Sequence, residues 1–207
     1  MIMKKKVLIL VLTVLSVFPV AAQNRWGVTG GLGWSFSCAD NADFDGARPG
    51  FYLGGLYDVK LSEQWYFQPQ LLFTRTSHRI SISDVKGFND VYSLELPLQV
   101  GYNIPLRPFD LRVSGGVFAN YKLFGVMKDV NVESDLTSGT SKVTEGKRDS
   151  YSLGGRDRFN GGVQLGVTLN HKHWFYGLDV KYSFLRRNQE YREPRRLLFR
   201  IGVGYKF

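Results

Sequence analysis

Cysteine, histidine and proline are all scarce in this chain of 207 residues. A single cysteine excludes an internal disulfide, and with it a small domain held together by bridges. The three histidines are His78, His171 and His173; the last two share one short segment, and a metal centre needs more ligands than that pair. Seven prolines are too few for a proline-rich linker, and 14% aromatic residues exclude low-complexity disorder. Beyond the first two dozen residues there is no run of about 18 apolar residues, which removes helical membrane spans. The mean hydropathy of -0.17 decides little, because a strand with one apolar face is only half apolar by construction.

The N-terminal segment from Met1 to Ala22 reads as a processing signal. Lys4, Lys5 and Lys6 make a positive start, Val7 to Phe18 an apolar core, and Val20, Ala21 and Ala22 a small-residue cleavage site before Gln23. Residues 1–22 are therefore expected to be a cleaved signal peptide and 23–207 a single domain outside the cytoplasm. Cys38 does not follow the apolar core, so no lipoprotein anchor is indicated.

The mature chain alternates with a period of two. In 25–37, Trp26, Val28, Leu32, Trp34 and Phe36 share one face, and Gly27, Thr29, Gly31, Gly33, Ser35 and Ser37 the other. Similar segments fall at about 50–60, 65–77, 91–102, 109–124, 158–169, 174–185 and 197–207. Pro69 conflicts with a ladder and predicts a local bulge there. Residues 78–90 read as a loop. Residues 125–157 form the longest interruption, part of which could extend the flanking strands as a hairpin. The connections alternate long and short along the chain, and an even strand count with short turns on one side fits an all-β fold, an eight-stranded antiparallel up-and-down transmembrane β-barrel. A soluble barrel would invert the faces, crowding Trp34, Phe36, Phe51 and Tyr182 into one lumen behind a glycine-rich exterior.

The closing segment carries Leu197, Phe199, Ile201, Val203, Tyr205 and Phe207 on one face. It resembles the terminal strand of bacterial outer-membrane barrels, and the resemblance implies that Val203, Tyr205 and Phe207 are read by the barrel-assembly machinery. Four further stretches, Gln68-Pro69-Gln70-Leu71-Leu72-Phe73, Leu94-Glu95-Leu96-Pro97-Leu98, Gly161 to Val167 and Leu178 to Ser183, resemble the PorT-like outer-membrane barrels often called the porin family. The likeness covers nearly all of the mature chain and implies fold and an outer-membrane location. Gln70 departs from it, standing where the resemblance implies Glu. The word porin implies no activity here.

Eight strands enclose an interior just wide enough to be filled by side chains. The inner set supplies Asp58, Glu95, Gln99, Arg112 and Lys122 from the first half of the barrel, and Arg158, Gln164, Asp179, Lys181 and Arg200 from the second. Buried charges need partners, so a lumenal polar network is expected in which Glu95 and Asp179 accept from the arginines and lysines. Such a network acts as a plug.

Catalytic chemistry finds little support. His78 lies near Ser77, Ser81, Asp84 and Asp90, but loops rich in Ser and Asp offer such triples by chance. Asp40, Asp43, Asp45 and Gly46 resemble a fragment of a calcium loop without its distal Glu. Arg186, Arg187, Arg192, Arg195 and Arg196 cluster near the last outer loop; they either contact lipopolysaccharide phosphates or form a solvated rim paired with Glu190 and Glu193. The expectation is a monomeric, non-enzymatic structural or interaction protein without cofactor, metal or nucleic acid. Its partners would be outer-membrane lipid, lipopolysaccharide and an unidentified extracellular or export-system partner met by the outer loops. A small-solute channel is the alternative, and a lipid-directed enzyme a more distant one.

Overall fold

A segment with one apolar face and one small or polar face can bury neither face alone, and a sheet of such segments resolves the mismatch by closing on itself. The computed structural model describes residues 25–38, 48–82, 85–134, 141–149, 158–185 and 195–207. They form strands β1 (Arg25–Cys38), β2 (Arg48–Lys60), β3 (Trp65–Ile82), β4 (Val85–Leu106), β5 (Phe109–Ser134), β6 (Ser141–Asp149), β7 (Phe159–His171), β8 (Trp174–Leu185) and β9 (Arg195–Lys206). Each strand pairs antiparallel with its neighbour, β5 pairs with β7, and β9 closes on β1 from Gly27↔Lys206 to Cys38↔Arg195. The result is a closed eight-stranded barrel, with β6 standing outside it on the extended end of β5.

The faces fall as the alternation demands. Leu94, Leu96 and Val100 of β4 face outward, while Ser93, Glu95, Pro97, Gln99 and Gly101 are buried within. The outer surface carries a Leu and Val band that includes Leu32, Leu53, Leu71, Val117, Leu165 and Leu178, all exposed. Two aromatic girdles flank this band. On the short-turn side Trp26 packs on Tyr57 with centroids 4.4 Å apart, Trp65 on Tyr102 at 5.1 Å, and Trp174 on Tyr205 at 5.2 Å. On the long-loop side Phe51, Phe73, Tyr92 and Phe124 form a continuous run. An apolar band between aromatic girdles is the exterior of a barrel that crosses a membrane.

Two expectations are corrected. Pro69 introduces no bulge: the β2–β3 ladder lapses between Leu56↔Gln70 and Val59↔Phe67, then resumes in the same register. The missing N–H interrupts the bonding without adding a residue. The bulges instead lie at Tyr92/Ser93, where β5 carries Leu123 as an extra residue, and at Gly161/Gly162. The first bulge passes the outward position from Leu123 to Phe124. Residues 78–82 and 85–90 are strand and not loop, because β3 runs to Ile82 and β4 starts at Val85, with the two paired as far as Ile82↔Val85; the β-branched Ile80, Ile82 and Val85 favour that extension.

Beyond the barrel's rim β3, β4, β5 and β6 run on together, with pairs as far as Ile82↔Val85 and Ser134↔Ser141. They form a sheet that projects past the ends of the other strands, on the long-loop side. In outer-membrane barrels that side is extracellular and the short turns are periplasmic.

Glycine on the inner face has a packing role. A Cβ built on Gly204 would meet Cζ of the buried Phe175 ring at 2.1 Å and the Val28 carbonyl oxygen at 2.5 Å. Gly204→Ala is therefore expected to destabilise the barrel by about 1–3 kcal/mol through overpacking, read as a lower urea midpoint of the protein refolded in lipid vesicles. At outward-facing Gly55 the nearest atom to such a Cβ is 3.9 Å away, and Gly55→Ala should shift the midpoint little. Equal shifts would refute the assignment of Phe175 to the lumen.

Candidate functional site

The lumen is filled by two charge clusters stacked along its axis, each built on one carboxylate that serves two cations. In the upper cluster Glu95, 2% exposed, comes from the middle of β4. Arg200 of β9 donates from Nη1 to Glu95 Oε1 at 2.8 Å and from Nη2 to Oε2 at 2.9 Å, a fork matched to the carboxylate. Lys181 of β8 donates from Nζ to the same Oε1. In the lower cluster Arg112 of β5 donates from Nη1 to both oxygens of Asp58 at 3.0 and 3.1 Å, and Lys206 of β9 reaches Asp58 Oδ2 at 2.8 Å. Gln68 donates to Asp58 Oδ1, and Asn103 accepts from Arg112 Nε at 2.7 Å.

Each of these cations also lies over an aromatic ring. Arg200 covers Tyr52 at 5.0 Å, Lys181 faces Phe118 at 5.3 Å, Arg112 covers Tyr66 at 4.3 Å and Lys206 faces Phe175 at 5.0 Å. With two cations per carboxylate, the negative faces of the rings offset part of the surplus positive charge, by about 0.5–2 kcal/mol per contact. Tyr52 and Phe175 fit because β9 opposes them with Gly202 and Gly204. Leu56 and Leu72 are buried as well, so side chains occupy the interior between the clusters.

Of the inner set read from the sequence, Asp58, Glu95, Gln99, Arg112, Lys122, Gln164, Lys181 and Arg200 are all buried. Asp179 is half-buried; its hydrogen-bonding neighbour is the Gln99 side chain, and none of the ion pairs described involves it. The second carboxylate that accepts from cations is thus Asp58. Arg158 is a correction: it precedes β7, is exposed, and gives Nη1 to the Leu123 carbonyl at 3.2 Å, so it stands at the rim. Gln164 is enclosed across the ladder from Lys181, with neither Nε2 nor Oε1 hydrogen-bonded.

Sequence reasoning left out Lys206, Tyr52, Phe118 and Phe175. Parity would have found all four, since Lys206 shares a face with Gly204, Tyr52 with Gly54, Phe118 with Arg112 and Lys122, and Phe175 with Gly177. What parity could not supply is the pairing across the lumen.

The other candidates are scattered. Ser77 and His78 lie on β3, in register with Asp90 and Asn89 of β4; the side chains of His78 and Ser81, and Asp84 altogether, lie outside the described residues. So do Asp40, Asp43, Asp45, Gly46, Arg186, Arg187, Arg192 and the side chain of Arg195. Arg196 faces inward and not toward lipid: it sits on the same face of β9 as Arg200 and lines the outer mouth of the lumen with Lys122, Asn120 and Asn160. His171 and His173 face backbone carbonyls, of Pro108 and Lys206. Val203 is exposed on the lipid face, and Tyr205 packs against both Trp174 and Phe207. No group of three metal-ligating side chains occurs among the described residues.

Residues 21–186 match the family model of the outer membrane protein beta-barrel domain. No curated protein matches the chain. Among solved structures it is similar to Ail, the attachment invasion locus protein of Yersinia pestis, with 15% identity and a TM-score of 0.48, covering 89% of this chain and 99% of that one. Neisserial surface protein A shares 14% identity at a TM-score of 0.49, covering 88% and 97%. A major outer membrane protein from Thermus thermophilus shares 15% at 0.49, covering 89% and 100%.

Proposed function

This chain belongs to the outer membrane protein β-barrel family, and from that premise we propose that it is a non-enzymatic structural or interaction protein whose lumen is closed and whose extracellular strands and loops make its contacts. The observation that carries the reading is the pair of stacked clusters, Glu95 with Arg200 and Lys181, and Asp58 with Arg112 and Lys206, which occupy the axis that a solute would follow. The same carboxylates are neutralised by their cations, so neither is poised as a general base. The sheet of β3 to β6 supports the second half of the reading: it carries chain well past the membrane band, where a rigid scaffold can present it to a partner. We place the protein among the PorT-like members on the four sequence stretches named above, with residues 1–22 as its export signal.

The test is single-channel conductance of the refolded 23–207 chain in a planar bilayer, with heat-modifiable gel mobility to establish folding. A folded, silent barrel is the expected result. Stable and reproducible openings would overturn the closed lumen and make the protein a small-solute channel.

A further inference from the structure

At the mouth formed by the short turns the barrel contains a cavity of 360 Å³, against 60 Å³ at the outer mouth. Among the described residues five cations line it: Arg25, Lys60, Arg112, Lys172 and Lys206. Two carboxylates, Asp58 and Asp110, oppose them, leaving an excess of three positive charges. The floor is rigid. Lys206 is fixed by Asp58 at 2.8 Å and by Asn170 Oδ1 at 3.0 Å, and Arg112 is held by Asp58 and Asn103 and stacked on Tyr66. Arg112 Nη2 has no hydrogen-bond partner among the described residues. The upper cluster closes the lumen above, so the cavity has one entrance.

We propose that this cavity is a binding site for a small, soluble, phosphate-bearing anion that enters from the periplasmic side. A concave, low-dielectric cup with an uncompensated charge of one sign focuses the field on its occupant, and 360 Å³ lies in the range of small-ligand sites. Arg25, Lys60, Arg112 and Lys206 belong to the lumenal set of their strands, alternating with outward Trp26, Tyr57, Val113 and Tyr205. Their charge is therefore directed along the barrel axis and away from the headgroups that surround its perimeter. That placement selects a soluble anion over a lipid. Lysines act as point charges for phosphate, and the Nη2 of Arg112 adds a directed donor.

The test is isothermal titration of the full refolded barrel, in zwitterionic detergent at fixed ionic strength, with inorganic pyrophosphate as the probe. Saturable binding is expected. The double variant Lys60→Gln/Lys172→Asn, which leaves the buried cluster intact, should bind roughly tenfold more weakly or worse. Arg196→Gln, which removes one charge at the opposite mouth, should stay within about twofold of the unaltered protein. Absence of saturable binding would overturn the proposal, and so would an equal loss in Arg196→Gln, which would mean nonspecific attraction to a basic protein. A second titration, in nanodiscs of phosphatidylcholine with and without phosphatidylglycerol, identifies the source of the phosphate. Binding that survives phosphatidylglycerol supports a soluble ligand; binding that disappears with it would assign the site to a lipid headgroup and overturn the proposal as stated.

Discussion

Glu95→Ala is expected to cost the folded barrel about 3–5 kcal/mol, the range for removing one partner of a buried ion pair. Two cations lose their carboxylate at once, and both Lys181 and Arg200 are enclosed, so neither can turn to water. Phe118 and Tyr52 would still face them, but a ring contact is worth a fraction of a charge-assisted pair. Lys181→Met should be milder, because Glu95 keeps both bonds from Arg200 while one surplus charge disappears. Equilibrium urea unfolding in lipid vesicles measures the difference. If Glu95→Ala lies within about 1 kcal/mol of the unaltered protein, the upper cluster contributes little to closing the lumen.

Leu165→Arg is expected to destabilise the inserted barrel by about 2–4 kcal/mol, since it puts a guanidinium on the lipid face at the centre of β7. Leu165 is 69% exposed between the aromatic girdles, with Gly115 and Val180 as its cross-strand neighbours. The adjacent Gln164 should respond differently. It is 2% exposed, both polar atoms of its amide lack a partner, and Lys181 stands directly across the ladder. Gln164→Leu should therefore be near neutral or mildly stabilising, because it removes an unsatisfied buried group. Gln164→Arg, which would be mild if its neighbours could accept a charge, would here add a cation beside Lys181. A larger loss from Gln164→Leu than from Leu165→Arg would mean that the two faces of β7 have been exchanged.

Which side of each strand meets lipid was legible in the residues themselves, because a period of two needs no knowledge of the partner strand. Leu94, Leu96, Glu95 and Gln99 illustrate this: all four lie on the sides their parity assigns. Parity fails where a residue is inserted. The bulge beside Leu123 shifts the outward position to Phe124, and nothing in the local sequence Lys122-Leu123-Phe124 distinguishes the two readings. Pro69 misleads in the opposite sense, since a missing N–H can be absorbed as a gap in the ladder as well as by a bulge.

The interior was legible as a list and not as a set of pairs. Asp179 and Asp58 are both inner carboxylates, yet of the two only Asp58 receives a guanidinium and an ammonium. The choice depends on the stagger of the barrel, which brings Arg112 to Asp58 across 54 residues of chain and Arg200 to Glu95 across 105. Strand-by-strand reading has no access to that stagger. The periplasmic cup is hidden for the same reason: Arg25, Lys60 and Lys172 come from different strands and a turn, and only closure brings them around one cavity.

The junction of β1 with β9 also constrains how the molecule can be made. Thr29 Oγ1 meets the Val203 carbonyl at 3.4 Å across 174 positions, so the first strand waits for the last. Until β9 arrives, one edge of β1 presents N–H and C=O groups that hydrocarbon cannot satisfy, and the loop to be closed is nearly the whole chain. The other pairings join strands nearer in sequence, so the seam between β1 and β9 carries the largest loop-closure cost. During biogenesis the open edge of β1 must therefore be held by water or by a temporary β-partner, and the chain reaches its membrane-stable form only when that substitute is displaced by β9.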